Sequence, residues 1–220
     1  MKATKENRLS RQQRKTVEKT LHKPDLLFFE RQLLEKGYRF ICGVDEVGRG
    51  PLAGPVTCSA VIMDLEKIVD GVNDSKKVSE KNRKILFPKI LDSAIAVCTV
   101  SYDNTKIDEL NILNATKLCM TEAVLGLKIK PDIVLVDALK LDLPYPTKAI
   151  IHGDSLSYSI GAASIVAKVT RDEFMCALAP NYPNFGFETN KGYGTATHIE
   201  ALKKYGATPL HRASFIKNFV

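Results

Sequence analysis

The chain has 220 residues, 45% of them hydrophobic and 26% charged, enough for a well-filled core in one large domain or one domain with a small appendage. No apolar run is long enough to cross a membrane as a helix, and the N-terminal MKATKENRLSRQQRK lacks the apolar segment of a secretory signal. Five scattered cysteines (Cys42, Cys58, Cys98, Cys119, Cys176) contain no CxxC pair, which argues against a disulfide framework and a zinc finger and for reduced thiols in the cytoplasm.

Residues 1–24 carry eight basic side chains against Glu6 and Glu18, so this segment holds +6 of the net charge of +7. It reads as a basic, flexible leader able to attract phosphate through counterion release, with the folded domain spanning 25–220. Residues 25–37 have amphipathic helical spacing and a glycine stop at Gly37. YRFICGVDEV then reads as a buried strand, GRGPLAGP as an obligatory turn, and PVTCSAVIM as a second strand able to pair antiparallel with the first. Ser79 is placed to cap a helix over 80–92, and AIAVCTVSYD forms a third strand. Helical period over 105–129 predicts one helix burying Leu110, Leu113, Leu118 and Val124. PDIVLVDA and KAIIHGD are two further strands. SIGAASIVAKVTRDEFMCAL reads as a close-packed helix, and TATHIEALKKYG as a last helix stopped at Gly206. The pattern predicts an α/β domain built on a mixed sheet.

Four carboxylates stand apart from the solvated acidic residues. Asp45 and Glu46 interrupt an apolar strand before the glycine turn, Asp137 ends DIVLVD, and Asp154 ends KAIIHGD. Carboxylates at buried strand ends carry a desolvation cost, and a capping role could account for any one of them. Four together, with no basic partner in their strands, would repel one another unless a hard divalent cation joins them. Oxygen-only ligation favours Mg2+, Mn2+ or Ca2+, and a pair of such ions would support phosphodiester hydrolysis. One geometric difficulty accompanies this reading. Adjacent strand residues point to opposite faces, so either the strand twists out at its end or Glu46 contributes differently, for instance through its backbone carbonyl.

The Gly48-Arg49-Gly50 turn lacks the GxGxxG spacing and the following helix of a dinucleotide-binding loop. Its glycines instead allow close approach of a nucleic-acid backbone, and Arg49 can bind phosphate. Ser164 and Lys168 are one residue too far apart for an SxxK nucleophile, and the four histidines are isolated in sequence.

The run GVDEVGRGPLAGP (43–55) resembles the signature of type 2 ribonucleases H, the bacterial ribonuclease HII family. NDSKK (73–77), NILNAT (111–116), LVDAL (135–139), GDSLSYSIGAASIVAKVTRD (153–172), KGYGT (191–195) and HRASF (211–215) follow in that family's order. The resemblance covers about residues 27–216, and the Gly-Arg-Gly triplet favours ribonuclease HII over its sister ribonuclease HIII. It implies a ribonuclease H-like fold, a mixed five-stranded sheet flanked by helices. It also implies a monomeric endonuclease acting on RNA/DNA hybrids and 5′ to ribonucleotides embedded in duplex DNA, with Mg2+ or Mn2+ as cofactor, two ions at turnover. Asp45, Glu46, Asp137 and Asp154 would be its catalytic and metal-binding carboxylates. Gly48, Arg49 and Gly50 would contact the scissile phosphate region and the 2′-hydroxyl, and Tyr193 would stack on the deoxyribose at the junction. Asn73, Lys76 and Lys168 would lie along the nucleic-acid backbone. Some family members continue with C-terminal helices that help hold the duplex, whereas here little sequence follows HRASF. The rival readings are a DNA nuclease of the same fold and a non-catalytic nucleic-acid-binding module.

Overall fold

The computed structural model describes residues 25–220; the basic leader lies outside the described residues. Helix α1 (Phe28–Glu35) ends at Gly37, whose φ of +89° no β-carbon favours. Strands β1 (Ile41–Val47) and β2 (Val56–Met63) form the expected hairpin, with Asp45 opposite Ser59. Helix α2 (Glu80–Ser93) begins at Ser79, whose hydroxyl accepts from the Asn82 amide, and runs directly into β3 (Ala94–Tyr102).

The single helix expected over 105–129 is two, α3 (Asn104–Leu110) and α4 (Ile112–Leu125). Asn111 breaks it with a φ of +63°, and its side chain accepts from the Asn114 amide to start α4. The buried stripe is also different from the expected one. Ala115, Thr116, Cys119, Met120, Ala123 and Val124 face the sheet, while Leu113 and Leu118 are exposed. Small side chains let α4 lie close to the sheet, and the leucines point away.

Strands β4 (Ile133–Asp137) and β5 (Thr147–Ile150) precede the long helix α5 (Tyr158–Leu178). Three short helices complete the chain: α6 (Phe187–Asn190), α7 (Ala196–Tyr205) and α8 (Ala213–Ile216). The sheet order is β3-β2-β1-β4-β5, antiparallel from β3 to β1 and parallel from β1 to β5, as expected for a mixed five-stranded sheet.

Side-chain alternation divides the core into two layers. Cys42 and Val44 of β1, with Cys58, Ala60 and Ile62 of β2, pack against α4. On the other face Val61 and Met63 meet Ala162, Ile165 and Val166 of α5 and Ile90 of α2. Fully burying a side chain such as Ile62 or Ile165 contributes about 1.5–3 kcal/mol. Gly43 sets the distance between β1 and α5: a β-carbon there would lie 2.1 Å from the Ser159 carbonyl carbon. A separate cluster of Met175, Phe185, Phe187, Leu202 and Ile216 packs under Leu52 and Ala53, placing the C-terminal helices beneath the glycine turn.

Candidate active site

β1 and β4 are parallel neighbours, so their carboxyl ends bring Asp45 and Asp137 to the same edge of the sheet. Asp45 shares the α5 face with Gly43 and is only 5% exposed. Burial, then the Glu46 charge, push its carboxyl well above the ordinary carboxylate range; the Ser164 hydroxyl of α5 pulls against them and Asp137 adds to the rise. Asp137 is oriented by the Gly153 amide, which donates to its Oδ1 at 2.7 Å. Asp154 does not end a strand as expected. β5 stops at Ile150, His152 turns left-handed with φ +58°, and Asp154 sits in a 3-10 turn at Gly153–Ser155. That turn folds the chain back over β4, which is how the third carboxylate reaches the first two. Burial, then Asp74 and Asp137, raise the Asp154 pKa, and Lys76, 3.7 Å away, opposes them.

Strand alternation sends Glu46 toward the α4 face, yet at the end of β1 it still belongs to the cluster. Arg49 Nη1 lies 3.5 Å from its Oε1. Burial raises its pKa, Arg49 lowers it, and Asp137 raises it further. Among the described residues, no three acidic, histidine or cysteine side chains are grouped tightly enough to grip an ion as they stand. The donor set nevertheless fits a hard divalent cation: mutually repelling carboxylate oxygens at one edge, with Lys76 and Arg49, among the described residues, as partial counter-charges.

The glycine turn lies beside these acids. Gly48 and Gly54 have φ of +93° and +84°, while Arg49 and Gly50 are exposed. A β-carbon on Gly50 would stand 4.0 Å from Tyr193 Cε1, so the turn and the KGYGT loop are neighbours. Tyr193 is 38% exposed, with Arg171 Cζ 5.6 Å and Lys168 Nζ 5.7 Å from its ring centroid. Gly192 carbonyl accepts from the Leu52 and Ala53 amides, tying the two loops together.

A family model described as Ribonuclease HII matches residues 42–218. The chain belongs to the ribonuclease HII family. Ribonuclease HII of Caldicellulosiruptor bescii is 54% identical over 192 residues, 87% of this chain and 93% of the relative. The ribonuclease HII in a solved complex with PCNA from Archaeoglobus fulgidus superposes with a TM-score of 0.70 at 25% identity, over 80% of this chain and 94% of that one. Bst-RNase HIII solved in complex with Mn2+ shares the fold, with a TM-score of 0.61 at 19% identity over 82% of this chain and 64% of that one. This family member has the ribonuclease H-like fold and is an endoribonuclease that cleaves RNA in RNA/DNA hybrids.

Of the other expected positions, Lys76 lies against the acidic edge, 3.7 Å from Asp154. Asn73 lies at a polar groove of about 420 Å³ shared with Lys77, Asn82 and Lys89. The Lys76 side chain is 83% exposed, whereas Lys168 is largely buried and paired with Asp172 at 2.8 Å. Burial lowers the Lys168 pKa and Asp172 restores part of it. Sequence reasoning missed Asp74, which is buried and has Ser155 Oγ 3.5 Å from its Oδ2; it lay unremarked inside NDSKK. It also missed Ser75 and Ser164, whose hydroxyls are 2.9 Å apart behind Asp45. Arg171 and Arg212, both fully buried, lie inside the VTRD and HRASF runs but were given no role of their own.

Proposed function

We propose that Asp45, Glu46, Asp137 and Asp154 bind the divalent ions of this ribonuclease HII, Mg2+ or Mn2+, two at turnover. We further propose that Gly48, Arg49, Gly50 and Tyr193 read the ribose–deoxyribose junction, so that the enzyme also incises duplex DNA 5′ to an embedded ribonucleotide. The observation that carries this reading is the meeting of carboxylates from three chain segments within reach of the Gly50–Tyr193 contact. The Mn2+ bound by Bst-RNase HIII supports the choice of ion through the shared fold.

Bound cations supply neutralisation of the crowded acids, activation of water and stabilisation of the leaving oxygen. The chain's own residues supply placement. Ser164 braces Asp45, the Gly153 amide fixes Asp137, and the 3-10 turn presents Asp154. Arg49 and Lys76 each face an acid and are exposed enough to turn toward a phosphate instead. Asn73 and the polar groove next to it lie where a nucleic-acid backbone would pass. Lys168, held by Asp172 near the Tyr193 ring, acts by supporting that ring. Glycine-lined backbone and an aromatic face together suit a 2′-hydroxyl and the neighbouring sugar, the groups that differ at a junction.

Residues 25–220 are the catalytic unit in this proposal, working as a monomer in the cytoplasm on nucleic acid. Asp137→Asn and Asp154→Asn test the acid assignment. Each should lower cleavage of an RNA/DNA hybrid by about 10²–10³-fold or more, the scale of losing one transition-state stabiliser, with unchanged circular dichroism. Near-native turnover in either variant would overturn the assignment.

A further inference from the structure

Arg171 and Arg212 are fully buried, and among the described residues neither forms an ion pair with a carboxylate. Burial pushes both guanidinium pKa values down, that of Arg212 to about 9, so the fold holds these two groups at a cost. What they meet instead is the carbonyl side of one turn. Arg212 Nη2 donates to Gly48 O at 2.6 Å and to Gly54 O at 2.8 Å, Nη1 to Arg49 O at 3.0 Å, and Nε to Gly54 O at 3.0 Å. Arg171 Nε donates to Pro55 O at 2.8 Å, Nη2 to Ala53 O at 3.2 Å, and Nη1 to Lys191 O at 2.9 Å. Arg171 therefore bridges the glycine turn and the KGYGT loop, with its guanidinium also 5.6 Å from the centre of the Tyr193 ring.

The consequence follows from peptide geometry. In a trans peptide the carbonyl and the following amide point in opposite directions. Drawing the Gly48 and Arg49 carbonyls inward to Arg212 turns the Arg49 and Gly50 amides outward. Among the described residues neither of those amides donates to an acceptor, and both residues are exposed. The Lys191 carbonyl held by Arg171 belongs to a residue at φ +53°, an unfavourable conformation two positions before Tyr193.

We infer that Arg171 and Arg212 are positioning residues for ribonucleotide selection: Arg212 aims the Arg49 and Gly50 amides at the substrate, and Arg171 fixes their distance from Tyr193. This rests on the reading of Gly48–Gly50 and Tyr193 as the junction sensor. Lysine can retain the charge but not the planar fork that spans several carbonyls. A long hybrid offers many registers for cleavage and a single ribonucleotide only one, so loss of aim should weigh on the latter.

The test compares wild type, Arg171→Lys, Arg212→Lys and Tyr193→Ala on a long RNA/DNA hybrid and on duplex DNA with one ribonucleotide. Both arginine variants should lose at least about 10-fold more kcat/KM on the single-ribonucleotide duplex than on the hybrid, the size of one lost hydrogen-bonded contact. Their thermal shift with Mg2+ should match wild type. Equal losses on both substrates, or no loss, would overturn the inference. No junction preference in the wild type, or an unchanged one in Tyr193→Ala, would instead overturn the sensor reading beneath it. Should the arginine variants fail to fold, amide hydrogen exchange on the wild type decides. The Arg49 and Gly50 amides should exchange rapidly in the free enzyme and gain protection with the ribonucleotide duplex but not with an all-DNA duplex. Protection already present in the free enzyme would contradict the aim assigned to Arg212.

Discussion

Asp154 illustrates how individual residues trade stability for chemistry. Burial and the nearby Asp74 and Asp137 raise its pKa above the unfolded value, so its ionised form destabilises the metal-free fold at neutral pH. Asp154→Asn should therefore raise the melting temperature without divalent ion, by about 2–4 °C for each kcal/mol of repulsion relieved in a chain of this size. It should also shrink the stabilisation that Mg2+ gives the wild type, and a differential-scanning measurement with and without Mg2+ reads both effects. His198 and His211 carry the opposite sign. Their Nε2 atoms are 3.0 Å apart, His198 Nδ1 donates to the Tyr193 carbonyl, and the Thr208 amide donates to His211 Nδ1. Those contacts suit two neutral rings, and burial followed by the His198 neighbour lowers His211 to about 4. The unfolded chain takes up this proton near pH 6.5 and the folded one only near 4, so the stability from the pair is full above 6.5 and is lost as pH falls toward 4. An NMR titration should leave the His211 ring signals flat from pH 7.5 to 5; a midpoint near 6.5 would contradict the pairing. Asp45, Glu46 and Asp137 stood out in the sequence because charge at the end of a buried apolar strand is costly, whereas Asp154 sits in a turn beyond β5 and not at a strand end. The histidine pair did not stand out, because its members are isolated along the chain and meet only through tertiary folding.

Among the elements, β1 and α5 do most to set the site, and their contact depends on Gly43. The glycine precedes Asp45 by two positions on the same face, and the Ser159 backbone fills the space a β-carbon would need. Gly43→Ala has no side-chain rotation that relieves a backbone clash, so it should cost more than about 4 kcal/mol and leave little soluble, folded protein. A melting temperature within 2 °C of wild type, against a cost that large, would contradict this packing. Glu30 supports the same helix from α1, accepting from Ser157 Oγ at 2.6 Å and the Ser159 amide at 2.9 Å. Strands β1, β2 and β4 could be read from composition, since burial on both faces leaves continuous apolar runs, and the Ser79 cap from its residue type. The break at Asn111 and the turn that carries Asp154 could not. Both use a left-handed residue other than glycine, Asn111 and His152, and sequence period is blind to a single reversed φ.

At the scale of the whole molecule, three distant segments form one unit: the glycine turn of 48–55, the KGYGT loop and the HRASF segment. Gly54 donates its amide to Leu210 O, and Arg212 donates its own to Leu52 O. This arrangement explains why matching motifs recur from one end of the described chain to the other, although periodicity alone gives no hint that they meet. The leader's +6 charge lies outside the described residues, and its proposed role is electrostatic grip. Removing residues 1–24 should weaken hybrid binding and flatten its dependence on salt; unchanged affinity and slope would remove that role. The central claim joins the acidic edge to the junction sensor, and one measurement addresses both. End-labelled duplex DNA containing a single ribonucleotide is mixed with the enzyme, with and without Mg2+ or Mn2+, and the cut is mapped to the nucleotide. The account predicts one metal-dependent cut immediately 5′ to the ribonucleotide and none in its absence. A cut at another position, or one independent of metal, would contradict it.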